Sequence, residues 1–265
     1  MVASSAIQLD NVSKTYISRH NQVTAIRAVS FCVKPGEFIA LVGPSGCGKS
    51  TVLSLIAGLL QPDEGEIRLF GEMVKGPSLR TGYMLQHDGL LEWRTVAENI
   101  ALGLEIRKEI NKQRLKQAHA LLHELGLGHA DQYYPSQLSG GMRQRVALVR
   151  TLALEPDILL LDEPFSAIDY QNKLFLEGLL NAILQRNEMT AVLVTHDLEE
   201  ALAMSDRVFI LGGQPGAIQR IIQLPEEIRA LKPLEARSHP LFRPLFHELW
   251  QEIQQPHSFH KEDIR

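Results

Sequence analysis

Three stretches of this chain carry residue types at spacings suited to phosphate chemistry. The first is Gly43-Pro-Ser-Gly-Cys-Gly-Lys-Ser-Thr51, glycine and four free positions followed by Gly48-Lys49-Ser50. Loop glycines let successive backbone N–H groups converge on one anion, and a helix beginning there adds the positive end of its dipole. Lys49 can reach terminal phosphates and the Ser50 hydroxyl can ligate Mg²⁺. The second is Leu138-Ser-Gly-Gly-Met142 followed by Arg143-Gln-Arg145. Ser139 is a good N-cap, and Gly140 and Gly141 leave N–H groups bare at a helix start, making a second anion cradle. The third is Ile158-Leu-Leu-Leu-Asp-Glu163, an apolar run ending in two acids. One acid can hold the metal's hydration shell, and the next can orient or deprotonate an attacking water. Each has a blander counterpart: a glycine turn, a capped helix, a polar strand end. Their joint occurrence in one chain favours nucleoside triphosphate binding and hydrolysis.

The flanking sequence supplies elements to position these groups. Glu37–Val42 is a short apolar run that predicts a buried strand, and Val52–Ala57 has helical spacing and stops at Gly58. Residues 6–33 alternate apolar and polar positions (Ile7, Leu9, Val12, Val23, Ile26, Val29, Phe31, Val33), which predicts half-buried antiparallel strands. Thr95-Val-Ala-Glu98 is a capping box, so a helix is expected from Val96, with mostly helical chain to about Leu154. Strand character returns at Asp157–Leu161 and Thr190–Thr195. The alternation predicts an α/β fold: a mainly parallel sheet core flanked by helices, with an N-terminal antiparallel β subdomain and a helical insertion subdomain at about 88–155. Polar loops after the strands fall where such sheets bind ligands. Beyond Pro225, Leu241, Phe242, Leu245, Phe246, Leu249, Trp250 and Ile253 form one helical stripe, read as core packing ahead of a partner-binding face. Pro256–Arg265 is polar and expected to fray.

Composition sets the outer bounds. The 265 residues suffice for one large α/β domain or a domain with a small companion. Thirty-one acids against 27 bases give a net charge of −4, so no nucleic-acid partner is expected. The two cysteines, Cys32 and Cys47, have no metal-like spacing, and pairing Cys47 would obstruct the phosphate loop; a reducing cytoplasm is the expectation. Met1–Ile7 lacks the basic flank and apolar core of a leader, and no apolar run nears the ~20 residues a membrane helix needs. Work at a membrane would require docking onto another chain.

Together these motifs resemble the ATP-binding cassette ATPases, the motor subunits of ABC transporters, over about residues 6–224. The resemblance implies a P-loop NTPase (RecA-like) fold, with residues 1–224 as the ATPase domain and 225–265 as a short helical extension. It implies ATP and Mg²⁺ as ligands. Gly43, Pro44, Ser45, Gly46, Cys47, Gly48, Lys49, Ser50 and Thr51 would hold the phosphates, with Ser50, Gln86 and Asp162 at the metal. Glu163 matches the catalytic base, His196 the switch histidine at the γ-phosphate, and Gln86 the glutamine that senses metal and water. Tyr16 fits the residue that stacks on adenine, or else a half-buried strand tyrosine. Ser166-Ala-Ile-Asp169 matches the loop that crosses a dimer interface, with Ile168 replacing the usual leucine.

In this family two cassettes pack head to tail, so that Ser139, Gly140 and Gly141 of one would cover ATP held by the other. A second identical chain is therefore an expected partner. A lone cassette without membrane helices looks like a bacterial importer ATPase at the cytoplasmic face of the inner membrane. Its other partners would be integral-membrane permease subunits and, indirectly, an extracytoplasmic substrate-binding protein. Met84–Asn99, LSGGMRQR and Pro215-Gly-Ala-Ile218 resemble the nitrate/sulfonate/taurine group; pyrimidine vitamin precursors also fit. Glu92 departs from the proline common before the tryptophan, and Pro225-Glu-Glu from a more basic segment. Trp93 would face the permease or, equally, pack at a subdomain seam. The rivals are a non-transport mechanoenzyme on a ribosome, DNA or assembly complex, and, more weakly, a P-loop kinase.

Overall fold

The computed structural model describes residues 5–18 and 21–254, so the expectation for Pro256–Arg265 lies outside the described residues. The chain divides into two compact units. One combines the sequence up to Ser78 with the sequence from Thr190; the other is Leu79–Met189.

In the first unit, β1 (Ile7–Ile17) and β2 (Gln22–Val33) pair antiparallel and continue through β4 (Glu64–Leu69) to β5 (Glu72–Met73), in the order β2-β1-β4-β5. The alternation seen in the sequence matches the burial of Ile7, Leu9, Val12, Ile26, Val29, Phe31 and Val33, whereas Val23, near the start of β2, is exposed. A second sheet segment runs β10-β9-β3-β8, with β3 (Phe38–Val42) parallel to both β8 (Thr190–Val194) and β9 (Arg207–Gly212). β10 (Ala217–Gln223) returns antiparallel on β9. Every residue of β3 and β8 is buried, which their unbroken apolar runs require of strands covered on both faces.

Helix α1 (Lys49–Ile56) follows β3 and begins at Lys49, earlier than its apolar spacing alone indicates. Helix α6 (Leu198–Met204) follows β8 and packs on the C-terminal helices α7 (Glu226–Arg229), α8 (Pro233–Arg237) and α9 (Phe242–Gln254). The apolar stripe of α9 divides. Phe242 and Leu249, seven positions apart on one face, are buried, whereas Trp250 is exposed and stacks on Phe246 at 6.2 Å. Arg220 of β10 pairs with Glu248 and Glu252 of α9.

The second unit contains the parallel pair β6 (Thr81–Met84) and β7 (Ile158–Asp162), and helices α2 (Val96–Arg107), α3 (Lys112–Glu124), α4 (Gly140–Leu152) and α5 (Tyr170–Arg186). α2 starts on the predicted capping box, with Thr95 accepting from the Glu98 N–H and Glu98 accepting from the Thr95 N–H. α2, α3 and α4 pack on one another.

Candidate nucleotide and hydrolysis site

The phosphate loop is caged by backbone. Gly48 has φ +96°, and a Cβ there would lie 2.4 Å from Ile26 Cγ2 of β2. A Cβ on Gly43, at φ +150°, would lie 2.0 Å from the Leu211 carbonyl oxygen of β9. Glycine is therefore required by both conformation and space. From below, the turn between β9 and β10 closes in. The Gly216 N–H donates to Ala25 O at 2.9 Å, and a Cβ on Gly216 would strike the Cys47 carbonyl oxygen. That turn holds the Pro215-Gly-Ala-Ile218 stretch noted in the sequence.

Inside this cage Lys49 is buried, and its ammonium donates to the Gly43 and Pro44 carbonyl oxygens, both at 2.9 Å. It also lies 3.9 Å from the Cys47 sulfur. Burial pushes the Cys47 thiol above its ordinary range, and the Lys49 charge offsets part of that push. Lys49 thus sits folded onto the loop that also supplies the N–H groups for an anion.

The start of α1 is unlike those of α2–α6. Each of those five begins on a side chain that accepts a first-turn N–H: Thr95, Asn111, Ser139, Asp169 and Asp197. α1 has Gly48 at that position and no side-chain cap. Its first N–H groups are left for an outside acceptor, and a phosphate at a helix start is the natural one. Tyr16 adjoins this loop: its hydroxyl lies 3.3 Å from the Thr51 hydroxyl while the residue remains 44 % exposed. The half-buried strand reading and a role toward a base are therefore both compatible with its position, and the bond to Thr51 was not visible in the sequence.

Strand register places His196. Leu41 of β3 pairs with Val194 of β8, so two residues further along each strand come Gly43 and His196. Thr195 is buried between them in sequence, and His196 is exposed at the strand end. Asp197 then caps α6 through the N–H groups of Glu199 and Glu200.

The same register logic operates in the second unit. Met84 pairs with Leu161, so Gln86 and Glu163 emerge side by side, and the Gln86 amide donates to Glu163 at 3.0 Å. Asp162, the last residue of β7, is buried. Glu163 has φ +49°, a left-handed backbone uncommon outside glycine that Glu155 and Glu188 also adopt.

Ser139 caps α4 by accepting from the Met142 N–H at 3.3 Å. Asp169 caps α5 with both carboxylate oxygens engaged by Asn172, and these hydrogen bonds hold its carboxyl below the usual range. Gln144 joins these regions: its amide donates to Ser166 and accepts from the Ala167 N–H, each at 3.1 Å. Sequence reasoning missed Gln144. In the sequence it stands only as the middle residue of Arg143-Gln-Arg145, and its burial emerges once α4 is packed.

Mg²⁺ fits the donors present. Among the described residues no cluster of three or more His, Cys, Asp or Glu could cage a metal. A small, strongly hydrated dication is held by one or two protein oxygens together with substrate phosphates, not by an all-protein cage. A hydroxyl at Ser50 and a buried carboxylate at Asp162 are donors of that kind.

The ABC transporter family model matches residues 26–166, from β2 through the phosphate loop to the loop after Glu163. The chain belongs to the ABC transporter family, as one of its ATP-binding subunits. It is an ATPase with the P-loop NTPase fold. It is 47 % identical to the uncharacterized ABC transporter ATP-binding protein YtlC of Bacillus subtilis, over 94 % of this chain and 96 % of the relative. It is 38 % identical to the nitrate import ATP-binding protein NrtD of Synechocystis, over 89 % of this chain and 90 % of that one. Among solved structures it resembles the dimeric, post-hydrolysis ATP-binding cassette MJ0796 bound to ADP and Pi. That likeness has a TM-score of 0.76 and 31 % identity, and covers 83 % of this chain and 99 % of that one. No helix of the described residues is long and apolar enough to cross a membrane.

Proposed function

We propose that this ABC ATPase is the nucleotide-binding subunit of a bacterial importer for a small anionic solute of the nitrate or sulfonate kind. The observation that carries the reading is the near full-length similarity to a nitrate import ATPase. Two copies would work as a pair on permease subunits at the cytoplasmic face of the inner membrane, with cargo delivered by an extracytoplasmic binding protein. The dimeric cassette MJ0796 supports the pairing. Trp93 is 75 % exposed, which favours a docking role over a packed aromatic and leaves an indole for a permease loop to grip.

Residue roles follow from the chemistry of phosphoryl transfer, in which positioning and charge stabilisation dominate. The N–H groups of Gly43–Thr51 and the Lys49 ammonium bind the phosphates, and Tyr16 stacks on adenine. Ser50, Asp162 and Gln86 would hold Mg²⁺, which supplies charge neutralisation across the phosphates. Glu163 takes the proton from the water whose oxygen attacks the γ-phosphorus, while the bond to the β-phosphate oxygen breaks and ADP leaves. Gln86 and His196 orient that water and the γ-phosphate. Ser139, Gly140 and Gly141 of one copy contact ATP on the other, and Asp169 lies at their junction.

The test is affinity purification of tagged Glu163→Gln protein with ATP from detergent-solubilised membranes, followed by mass spectrometry. A multi-span permease should co-purify. Recovery in the soluble fraction alone, with ribosomal or nucleic-acid partners, would overturn the importer reading in favour of a mechanoenzyme.

A further inference from the structure

The segment joining Gln86 to α2 has no regular structure, yet two side chains, the half-buried Arg150 and the buried Asn99, hold it at two points. At the first, the Arg150 guanidinium of α4 donates to two successive backbone carbonyls, Asp88 O at 2.6 Å and Gly89 O at 2.8 Å. Arg143, two turns earlier on α4, donates from Nε to the Asp88 carboxylate at 3.1 Å and from a second nitrogen to Leu138 O at 3.2 Å. The other Asp88 carboxylate oxygen accepts from the Leu90 N–H at 3.1 Å. Burial depresses the Arg150 pKa and the nearby Asp88 charge opposes that effect, as expected for a cation withdrawn from water to grip backbone. The planar guanidinium holds its two donors in one fixed geometry, whereas a lysine in its place would offer a single nitrogen on a flexible stem and would hold the two carbonyls less rigidly.

At the second point, Asn99 of α2 is fully buried. Its carbonyl accepts from the Leu91 N–H at 2.7 Å, and its amide donates toward Leu91 O, Arg94 O and Thr95 O at 2.9–3.1 Å. The Arg94 N–H closes a turn onto Leu91 O at 3.0 Å, and the Arg94 side chain pairs with Glu105 at 2.7 Å. Trp93 sits in this turn and projects into solvent. One end of the segment therefore touches Glu163 through Gln86, and the other presents an indole.

We propose that Arg150 and Asn99 are positioning residues that turn 86–95 from a slack loop into a stiff link, so that nucleotide-driven displacement of Gln86 moves Trp93. This deepens the reading above and rests on it for the event at Gln86. Sites are coupled when one mechanical element is biased at both ends, and a loop free between its anchors would absorb the displacement instead.

Trp93 and Trp250 are the chain's two tryptophans, so Trp250→Phe leaves a single reporter in the link. In that full-length protein, saturating Mg²⁺ and a non-hydrolysable ATP analogue should change Trp93 emission. Asn99→Ala should bind the analogue with parent affinity, hydrolyse ATP at the parent rate and lose the emission change. Should Asn99→Ala fail to fold, two glycines inserted between Gly89 and Leu90 leave the Arg150 and Asn99 hydrogen bonds in place, give up the Leu90 bond to Asp88 and add slack; the change should again be lost. Arg150→Lys should lose it and also lower kcat by about ten- to a hundredfold at unchanged KM, because Gln86 is misplaced while ATP binding is not. No emission change in the parent, a full change in the variants that fold, or parent kcat in Arg150→Lys would overturn the proposal. If Trp93→Ala still retrieves a permease from membranes, the permease role of Trp93 falls and the stiff link stands.

Discussion

The phosphate loop and the start of α4 are both glycine-bearing helix beginnings suited to anions, yet they are prepared in opposite ways. At α1 the cap is missing, and the loop is fixed from behind by backbone: Leu211, Ala25 and the turn at Gly216. At α4 the Ser139 hydroxyl already occupies the first-turn N–H, and the neighbourhood is held by side chains, Gln144 to Ser166 and Ala167, Arg143 and Arg150 to Asp88 and Gly89. A site that must bind tightly is made rigid and left open. The α4 start is instead closed by its own cap and braced by side chains from neighbouring elements.

The sharpest break of this contrast comes at Glu163. Glu163→Gln keeps the hydrogen-bonding shape but not the base, so steady-state hydrolysis should fall by about 10²–10⁴-fold while ATP binding persists. Unchanged turnover in a phosphate-release assay would remove Glu163 from its role. Lys49→Ala removes a buried ammonium from the open cradle, and ATP affinity measured by calorimetry should fall by about ten- to a hundredfold, the worth of a charged hydrogen bond. Parent affinity would mean that the cradle binds through backbone alone.

Gly48→Ala tests the cage. A methyl group driven against Ile26 at positive φ should destabilise the protein by about 1–3 kcal/mol in denaturant unfolding. Gly46→Ala, whose added Cβ meets nothing within 4 Å, should cost less, since only its φ of +80° is strained. Equal losses would show that conformation rather than packing sets the cage. At the other helix start, Ser139→Ala should cost about 1 kcal/mol, the usual worth of an N-cap. No loss in thermal unfolding would mean that α4 is not held by its cap.

The smallest effect concerns thiol chemistry. Cys32 is exposed and Cys47 is buried with a raised pKa, so at pH 7–8 an alkylating reagent should modify Cys32 first. Cys47 reactivity should rise only at higher pH than an ordinary thiol's. Faster modification of Cys47 would mean that Lys49, rather than burial, sets its acidity.

What could be read from the sequence divides along the same line. Gly43–Thr51, the β3 run and the Thr95 capping box are local patterns, in which neighbouring residues dictate backbone geometry, and they were legible. The pairing of Gln86 with Glu163 depends on the register of two strands more than seventy positions apart, which no local pattern encodes. Arg143 and Gln144 lie in the LSGGMRQR stretch and Asn99 ends Met84–Asn99, yet no local pattern names their partners or those of Arg150: the Asp88 carboxylate, the Ser166 hydroxyl, the Ala167 N–H and the loop carbonyls are brought to them by tertiary folding. The α9 stripe misled in part for the same reason: period identifies one face, but only packing decides that Phe242 and Leu249 are covered and Trp250 is not.

The most direct test of the account is the mass of Glu163→Gln in solution by light scattering, with Mg²⁺ and either ATP or ADP. The chain is 29.7 kDa, and two copies sum to 59.4 kDa. The account predicts the doubled mass with ATP and the single mass with ADP, because it assigns the phosphate loop of one copy and the α4 start of another to the same ATP. A single mass at saturating ATP, or the same mass with both nucleotides, would contradict it.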